Sequence, residues 1–412
     1  MTIPKTQIIL AGNYWDGFAE KALGYAEIVI VGDKIIEVGK EVVRNEEAEI
    51  IDLSDQFVMP GFIDCHLHLT GNSQILTHLL ESNDAALALA GVNACTRVLH
   101  NGFTTVRDAA DFSFVSWVVP TLKKAVESGD IPGPRIICGG HMLSAVGGHG
   151  DFGGITRNGV IVEQVSVVEG VDGVRRGVHN EVCHGADWIK YSGSGGFLSP
   201  SDGPEDVTYS QEEASAIVAA AGDVWKPVFV HAYDDESVRR AAVAGVRSVE
   251  HGSLATVNTL ELLADKGIYL VPTQTAVVAW ARQAKDNPIS NEPAYIWEKK
   301  LKYAGKILEY AGNIGQSNVK IAFGTDLGTF DYTVNGAVEF SEMVRNGITP
   351  LRALRAASSV AAEMLQLNSG SIAAGKYADI VAMPGNPLED IGVTEKVNFV
   401  MKNGKVYRND HS

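Results

Sequence analysis

Two histidines one residue apart, His66 and His68, sit in the stretch D-C-H-L-H-L. Side chains two apart on a strand face the same way, so both imidazoles can hold one cation. A bare H-x-H is as readily a pair of hydrogen-bonded core histidines. Its position at the end of an apolar run after Met59-Pro60-Gly61 favours ligands. Lys190 closes a second apolar run, D-W-I-K-Y-S. A charged lysine is costly inside a protein; burial lowers its pKa and leaves a neutral amine. Such an amine can capture carbon dioxide as a carbamate, an anionic ligand able to bridge two metals. Alone, Lys190 reads more simply as a rim residue with its ammonium in solvent. His231 in V-F-V-H-A-Y and His251 in V-E-H-G-S end two further runs, and neutral imidazole suits zinc and its neighbours. Asp326 in F-G-T-D-L-G is the matching carboxylate. It could bind metal through one oxygen and take a proton from an activated water through the other, or simply cap the next helix.

These side chains are far apart along the chain, so the elements that carry them must converge. From residue 59 to 367, strand-like and helix-like segments alternate. F-V-M-P-G-F-I-D-C-H-L-H-L precedes a helical stretch at 84–101, T-T-V-R-D-A-A one at 114–128, and P-R-I-I-C-G-G one at 171–185. The later strands precede helical stretches at 210–222, 235–244, 257–266, 294–312 and 334–346. Eight such repeats close a (β/α)8 TIM barrel, whose active site lies at the C-terminal ends of the strands. A doubly wound open sheet is the alternative. It usually carries a glycine fingerprint after the first strand, where this chain has histidines. A final helix is expected at 349–367. Residues 1–58 and 368–412 are rich in β-branched residues, with tight turns at Gly32-Asp33 and Asn403-Gly404. Each end is too short to enclose a core, so the two are expected to share one discontinuous β-sandwich domain.

Composition narrows the function. The 412 residues carry 34 Lys and Arg against 50 Asp and Glu, a formal charge of −16. With no basic block, the chain is not expected to bind nucleic acid. No apolar run approaches the roughly 18 residues of a membrane span, and the N-terminus reads as a strand rather than a signal peptide. The four cysteines form no C-x-x-C pair, so neither a disulfide framework nor a structural zinc site is expected, and a reducing cytoplasm is the default.

The ordered set H-x-H, Lys, His, His, Asp resembles that of the amidohydrolase superfamily over nearly the whole chain. The phrases G-F-T-T-V-R-D-A-A-D, G-G-H-M-L-S-A-V-G-G-H-G-D and V-E-H-G-S resemble its branch related to imidazolonepropionase. That branch includes prolidase-like dipeptidases, lysine/arginine carboxypeptidases and ochratoxin-type amidases. The resemblance implies two divalent ions, zinc before manganese or cobalt. His66, His68 and Asp326 would hold one and His231 and His251 the other, with N6-carboxylated Lys190 and a hydroxide bridging them. It further implies hydrolysis of dipeptides or N-acyl amino acids by attack of that hydroxide, with Asp326 as general base and then acid, in a homo-oligomer. Tyr233, on the inward face of His231, and His141 are candidate donors to the oxyanion, and His141 could instead hold the substrate carboxylate. His149, Trp280 and Arg282 could line the pocket. His78, His100, His179 and His184 read as surface or interhelix residues, and His411 as tail. A cyclic-amide hydrolase and a mononuclear deaminase, using Glu236, are the alternatives; Lys190 weighs against the deaminase. A scaffold that had lost its metals should lack a ligand, and none is missing.

Overall fold

The computed structural model describes residues 5–43, 47–71, 83–113, 116–157, 160–162, 165–286 and 292–410. His78 and His411 lie outside these. Both chain ends enter one seven-stranded mixed sheet. Its strands are β1 (Thr6–Tyr14), β2 (Ala26–Val31), β3 (Lys34–Gly39) and β4 (Glu49–Pro60) from the N-terminal part, with three from the C-terminal part. Val31 pairs with Lys34 across the Gly32-Asp33 turn. Apolar residues of both ends, among them Ile9, Ile28, Leu53, Ile380, Phe399 and Met401, bury one common core.

The central part alternates strands and helices. β5 (Phe62–Leu67) and β6 (Phe103–Asp108) pair in parallel, and β6 pairs with β7 (Arg135–Cys138). The third strand resumes as β8 (Leu143–Ser144), followed by a hairpin of β9 (Ile155–Arg157) and β10 (Val160–Val162), then β11 (Ser166–Val167). β12 (Ile189–Ser192), β13 (Val228–Asp234), β14 (Ser248–Leu254) and β15 (Tyr269–Val271) continue the parallel sheet. Asp187 N and Trp188 N donate to Cys138 O at 2.8 and 3.1 Å, joining β7 to the start of β12. The eighth segment, 320–327, is irregular. It joins β15 through Ala322 N to Leu270 O (2.9 Å) and β5 through Cys65 N to Phe323 O (2.8 Å). The fold is a TIM barrel with a β-rich domain. That domain is completed by β16 (Ile380–Met383), β17 (Phe399–Lys402) and β18 (Lys405–Asn409), giving the order β18-β17-β16-β4-β1-β2-β3. Asn403 and Gly404 take φ of 49° and 72°, as a two-residue hairpin turn requires.

Helix starts are written into the strand ends. Asp234 closes β13 and its side chain accepts from Ser237 N, so the helix Asp235–Ala244 begins without a loop. Ser210 and Glu213 form a reciprocal capping box on the helix Gln211–Asp223. The expected helix at 349–367 is two helices, Pro350–Ala356 and Ser359–Leu365. The break falls at Ser358, whose hydroxyl turns back to Leu354 O (2.7 Å), while Ser359 Oγ donates to Gly17 O in the β-rich domain (2.7 Å). All four cysteines are free. Among the described residues, no helix is long and apolar enough to cross a membrane.

Candidate active site

His66, on β5, and His68, just past its end, lie against Asp326 of the irregular segment. His66 Nε2 is 3.4 Å and His68 Nε2 3.2 Å from Asp326 Oδ1. Their hydrogen bonds fix the tautomers. His66 Nδ1 donates to Glu250 Oε2 at 2.7 Å, and His68 Nδ1 donates to Ala110 O at 2.9 Å. In the neutral rings, Nε2 is then the atom that presents a lone pair. Burial holds His66 well below the ordinary imidazole pKa, with Lys190 adding to it, so the ring is neutral. Asp326 Oδ1 is buried and has no hydrogen-bond donor. Three potential ligand atoms thus converge, all within 4.8 Å of one another. The set of two imidazoles and a carboxylate fits a divalent cation.

His251 lies midway along β14 and His231 on β13, their ring centres 4.6 Å apart; His251 is 5.0 Å from His66. His231 Nε2 donates to Gly195 O (3.2 Å), which leaves Nδ1 as its free lone pair. His251 Nδ1 meets Thr273 Oγ1 at 2.7 Å. Burial keeps both rings well below their ordinary pKa, and so neutral. Lys190 on β12 is 2 % exposed, and burial brings its ammonium down to about 8. Backbone strain concentrates here: His251, Thr273 and Asp326 take φ of 71°, 45° and 61°. Left-handed conformations at non-glycine residues persist only where surrounding structure enforces them, and they cluster at functional sites.

All six side chains line one cavity of about 1030 Å³ at the C-terminal ends of the strands. Its walls are apolar and aromatic, including Phe112, Met142, Phe197, Trp280, Ile296 and Phe330. Phe112 stacks on His68 at 4.5 Å, and Phe197 meets Tyr233 edge-on at 5.3 Å and Trp280 at 4.9 Å. Lys300 and Glu292, paired at 2.6 Å, also line it. Tyr233 stacks on His251 at 4.9 Å, and burial pushes its phenol well above 10, so it remains a donor.

Two expected residues lie elsewhere. His141 does not line the cavity. Its Nε2 faces Ser113 O at 3.0 Å, its Nδ1 lies 3.6 Å from Glu181 Oε2, and its backbone N–H donates to that same carboxylate. Arg282 turns away to pair with Glu342 at 3.0 Å. His149 does line the cavity, stacked on His231 at 4.2 Å, with Nδ1 3.2 Å from Ser199 Oγ and 3.3 Å from Asp202 Oδ2. Glu236, the deaminase candidate, lies on the exposed face of its helix. There Arg239 and Arg240 hold its carboxyl down to about 2.

Sequence comparison matches residues 57–407 to the amidohydrolase family. The chain belongs to the amidohydrolase family. This amidohydrolase is 30% identical to the ochratoxinase of Aspergillus niger over 98% of its own length and 87% of that protein's. The crystal structure of A. niger ochratoxinase superposes with a TM-score of 0.84 at 29% identity, covering 99% of this chain and 96% of that one. A Xaa-Pro dipeptidase with methionine bound in its active site gives a TM-score of 0.90 at 33% identity, over 98% and 100% of the two chains. A prolidase complexed with N-methylphosphonate-L-proline gives 0.87 at 34% identity, over 98% and 100%.

Behind the histidines lie Glu250 and Arg107, which occur in V-E-H-G-S and G-F-T-T-V-R-D. A charged residue inside an apolar strand beside a candidate histidine is the sequence signal for them. Thr273 and Asp202, in a strand-end turn and a glycine-rich loop, gave none.

Proposed function

We propose that this amidohydrolase cleaves the amide bond of dipeptides or N-acyl amino acids using two divalent metal ions, zinc foremost. His66, His68 and Asp326 would hold one ion and His231 and His251 the other, with Lys190 bridging both as its carbamate. The observation that carries the reading is the convergence of His66 Nε2, His68 Nε2 and Asp326 Oδ1 in one buried cluster within 4.8 Å. Bound divalent metal lowers the pKa of water to about 7 and polarises a carbonyl. The chain's residues do the rest. Asp326 takes the proton released as water attacks and delivers it to the leaving amine, as base and then acid. Tyr233 donates to the carbonyl oxygen as it gains charge. His149, its Nδ1 3.3 Å from Asp202 Oδ2, faces the cavity where His141 does not and would contact the substrate there. The apolar walls exclude water around the scissile bond and receive the substrate side chains.

Support for an amino-acid-derived substrate comes from the similarity to a Xaa-Pro dipeptidase, a prolidase and an ochratoxinase. The deaminase alternative is weakened because Glu236 is engaged by two arginines away from the cavity. The test is a panel of Xaa-Xaa dipeptides, N-acyl amino acids and cyclic amides offered to the metal-loaded protein. Release of free amino acid from linear amides is expected. Cleavage restricted to rings, or release of ammonia alone, would refute the assignment.

A further inference from the structure

Beneath the cavity lies a buried ion pair. Arg107 on β6 is fully enclosed, and its Nη2 contacts both oxygens of Glu250 on β14 at 2.9 Å. Its Nε donates to Cys65 O (2.7 Å) and its Nη1 to Ser248 Oγ (3.1 Å), while Ser248 Oγ donates to Glu250 Oε1 (2.6 Å). The guanidinium lies over the Phe229 ring at 4.0 Å and the Trp188 ring at 4.8 Å. These contacts engage Nε, Nη1 and Nη2, and Glu250 has one further partner: His66 Nδ1.

Desolvating two charges is expensive, and replacing such a pair by apolar residues is often neutral or stabilising. Stability therefore gives little reason to place this pair here. The histidine contacts give a better one. Ala110 O backs His68, Gly195 O backs His231, and the Thr273 hydroxyl backs His251; all three partners are neutral. Only His66, among these four, is backed by a carboxylate. A carboxylate on the distal nitrogen fixes the tautomer, orients the ring and raises the basicity of the ligating nitrogen.

We infer that Arg107 and Glu250 are positioning residues that make the His66–His68–Asp326 position the tighter of the two metal sites. Arg107 holds both carboxylate oxygens through Nη2 and compensates their charge. Glu250 then holds His66 Nδ1–H so that Nε2 points at Asp326 Oδ1. The inference rests on the two-metal reading above and concerns residues that touch neither substrate nor metal.

The test is zinc titration of the full-length apoprotein against a chromophoric chelator, with circular dichroism of each apoprotein as a second readout. Glu250→Gln is expected to weaken the tighter binding step by about 10–100-fold and the weaker step less. Because that variant strands a buried guanidinium, the double variant Arg107→Met/Glu250→Gln is measured beside it. It removes both charges yet keeps an amide oxygen for His66, and the same loss is expected with an unchanged apoprotein spectrum. Glu181→Gln removes another buried carboxylate, one that binds Trp117, Ser166 and His141, and is expected to leave both steps unchanged. Wild-type affinity in the double variant would overturn the inference. An equal loss in Glu181→Gln would also overturn it, as generic destabilisation. A wild-type chain that takes up no zinc would refute the two-metal reading itself, a result distinct from equal binding by all variants.

Discussion

Gly328→Ala should damage the site out of proportion to one added methyl. Gly328 follows Asp326 at φ +100°, and a Cβ there would overlap His68 O and lie 2.8 Å from His68 Cβ. His68 O is also the acceptor for Tyr332 Oη (2.8 Å) and Gly71 N (2.9 Å), so it cannot yield freely. Left-handed backbone at alanine costs about 1–2 kcal/mol, and forcing an extra carbon into packed structure about 1–3 kcal/mol more. The sum is about 2–5 kcal/mol. Gly267 is the control: φ is +67°, and an added Cβ meets nothing within 4 Å. Gly267→Ala should cost only the backbone share, about 1–2 kcal/mol. Urea midpoints at constant slope give both values, and zinc content after reconstitution reports on His68. The account expects Gly328→Ala to lose more stability than Gly267→Ala and also to lose metal. Equal midpoints with full metal content would show that the close approach to His68 has no role in shaping the site.

Three further outcomes are expected. Tyr233→Phe removes one hydrogen bond to the developing oxyanion and should lower kcat by about 10²–10³-fold with little change in KM; a change in KM alone would place Tyr233 in ground-state binding instead. Phe197→Ala, at a residue packed among Tyr233, Trp280 and Tyr303, should destabilise by about 3–5 kcal/mol and raise KM; an unchanged KM would remove Phe197 from the substrate wall. The third concerns the buried His141–Glu181 pair. Burial works against both charges, yet Glu181 holds His141 above its ordinary 6.5, and His141 holds Glu181 below its ordinary 4.5. A raised histidine adds stability that is complete below its unfolded value and disappears as pH climbs through the folded one. The stability gap between wild type and His141→Gln should therefore be wide near about pH 5.5 and narrow by about pH 9. A gap that does not vary with pH would mean that the pair is not ionised.

Much of this site could be read from the chain because strand ends carry their own marks. His231 follows the apolar residues Val228, Phe229 and Val230, and His66 and His68 follow the apolar run into β5, so the barrel's end-of-strand rule points to them; His251, inside β14, is marked by V-E-H-G-S. The hairpins at Gly32-Asp33 and Asn403-Gly404 follow from local turn chemistry in the same way. The misreadings share another cause, long-range partners. His141 was expected to face the cavity, but a carboxylate 40 residues downstream captures both its backbone and its ring side. Glu181 sits in an ordinary helical pattern, where a glutamate reads as solvated surface. The Arg107–Glu250 pair spans 143 positions, and no local pattern announces it. The eighth strand proved irregular because Asp326 needs a left-handed backbone to reach the histidines, and glycines on both sides accommodate that path. The split of the last helix depends on Ser359 reaching Gly17, more than 300 residues away.

The six cavity side chains are proposed to hold a pair of ions, with Lys190 joining the two halves. Apoprotein reconstituted with zinc in bicarbonate, then analysed by inductively coupled plasma mass spectrometry, tests it most directly when wild type is run beside Lys190→Met. The account predicts about two ions per wild-type chain, and about one in the variant together with loss of amide hydrolysis. About one ion in both proteins, with hydrolysis intact in Lys190→Met, would contradict it.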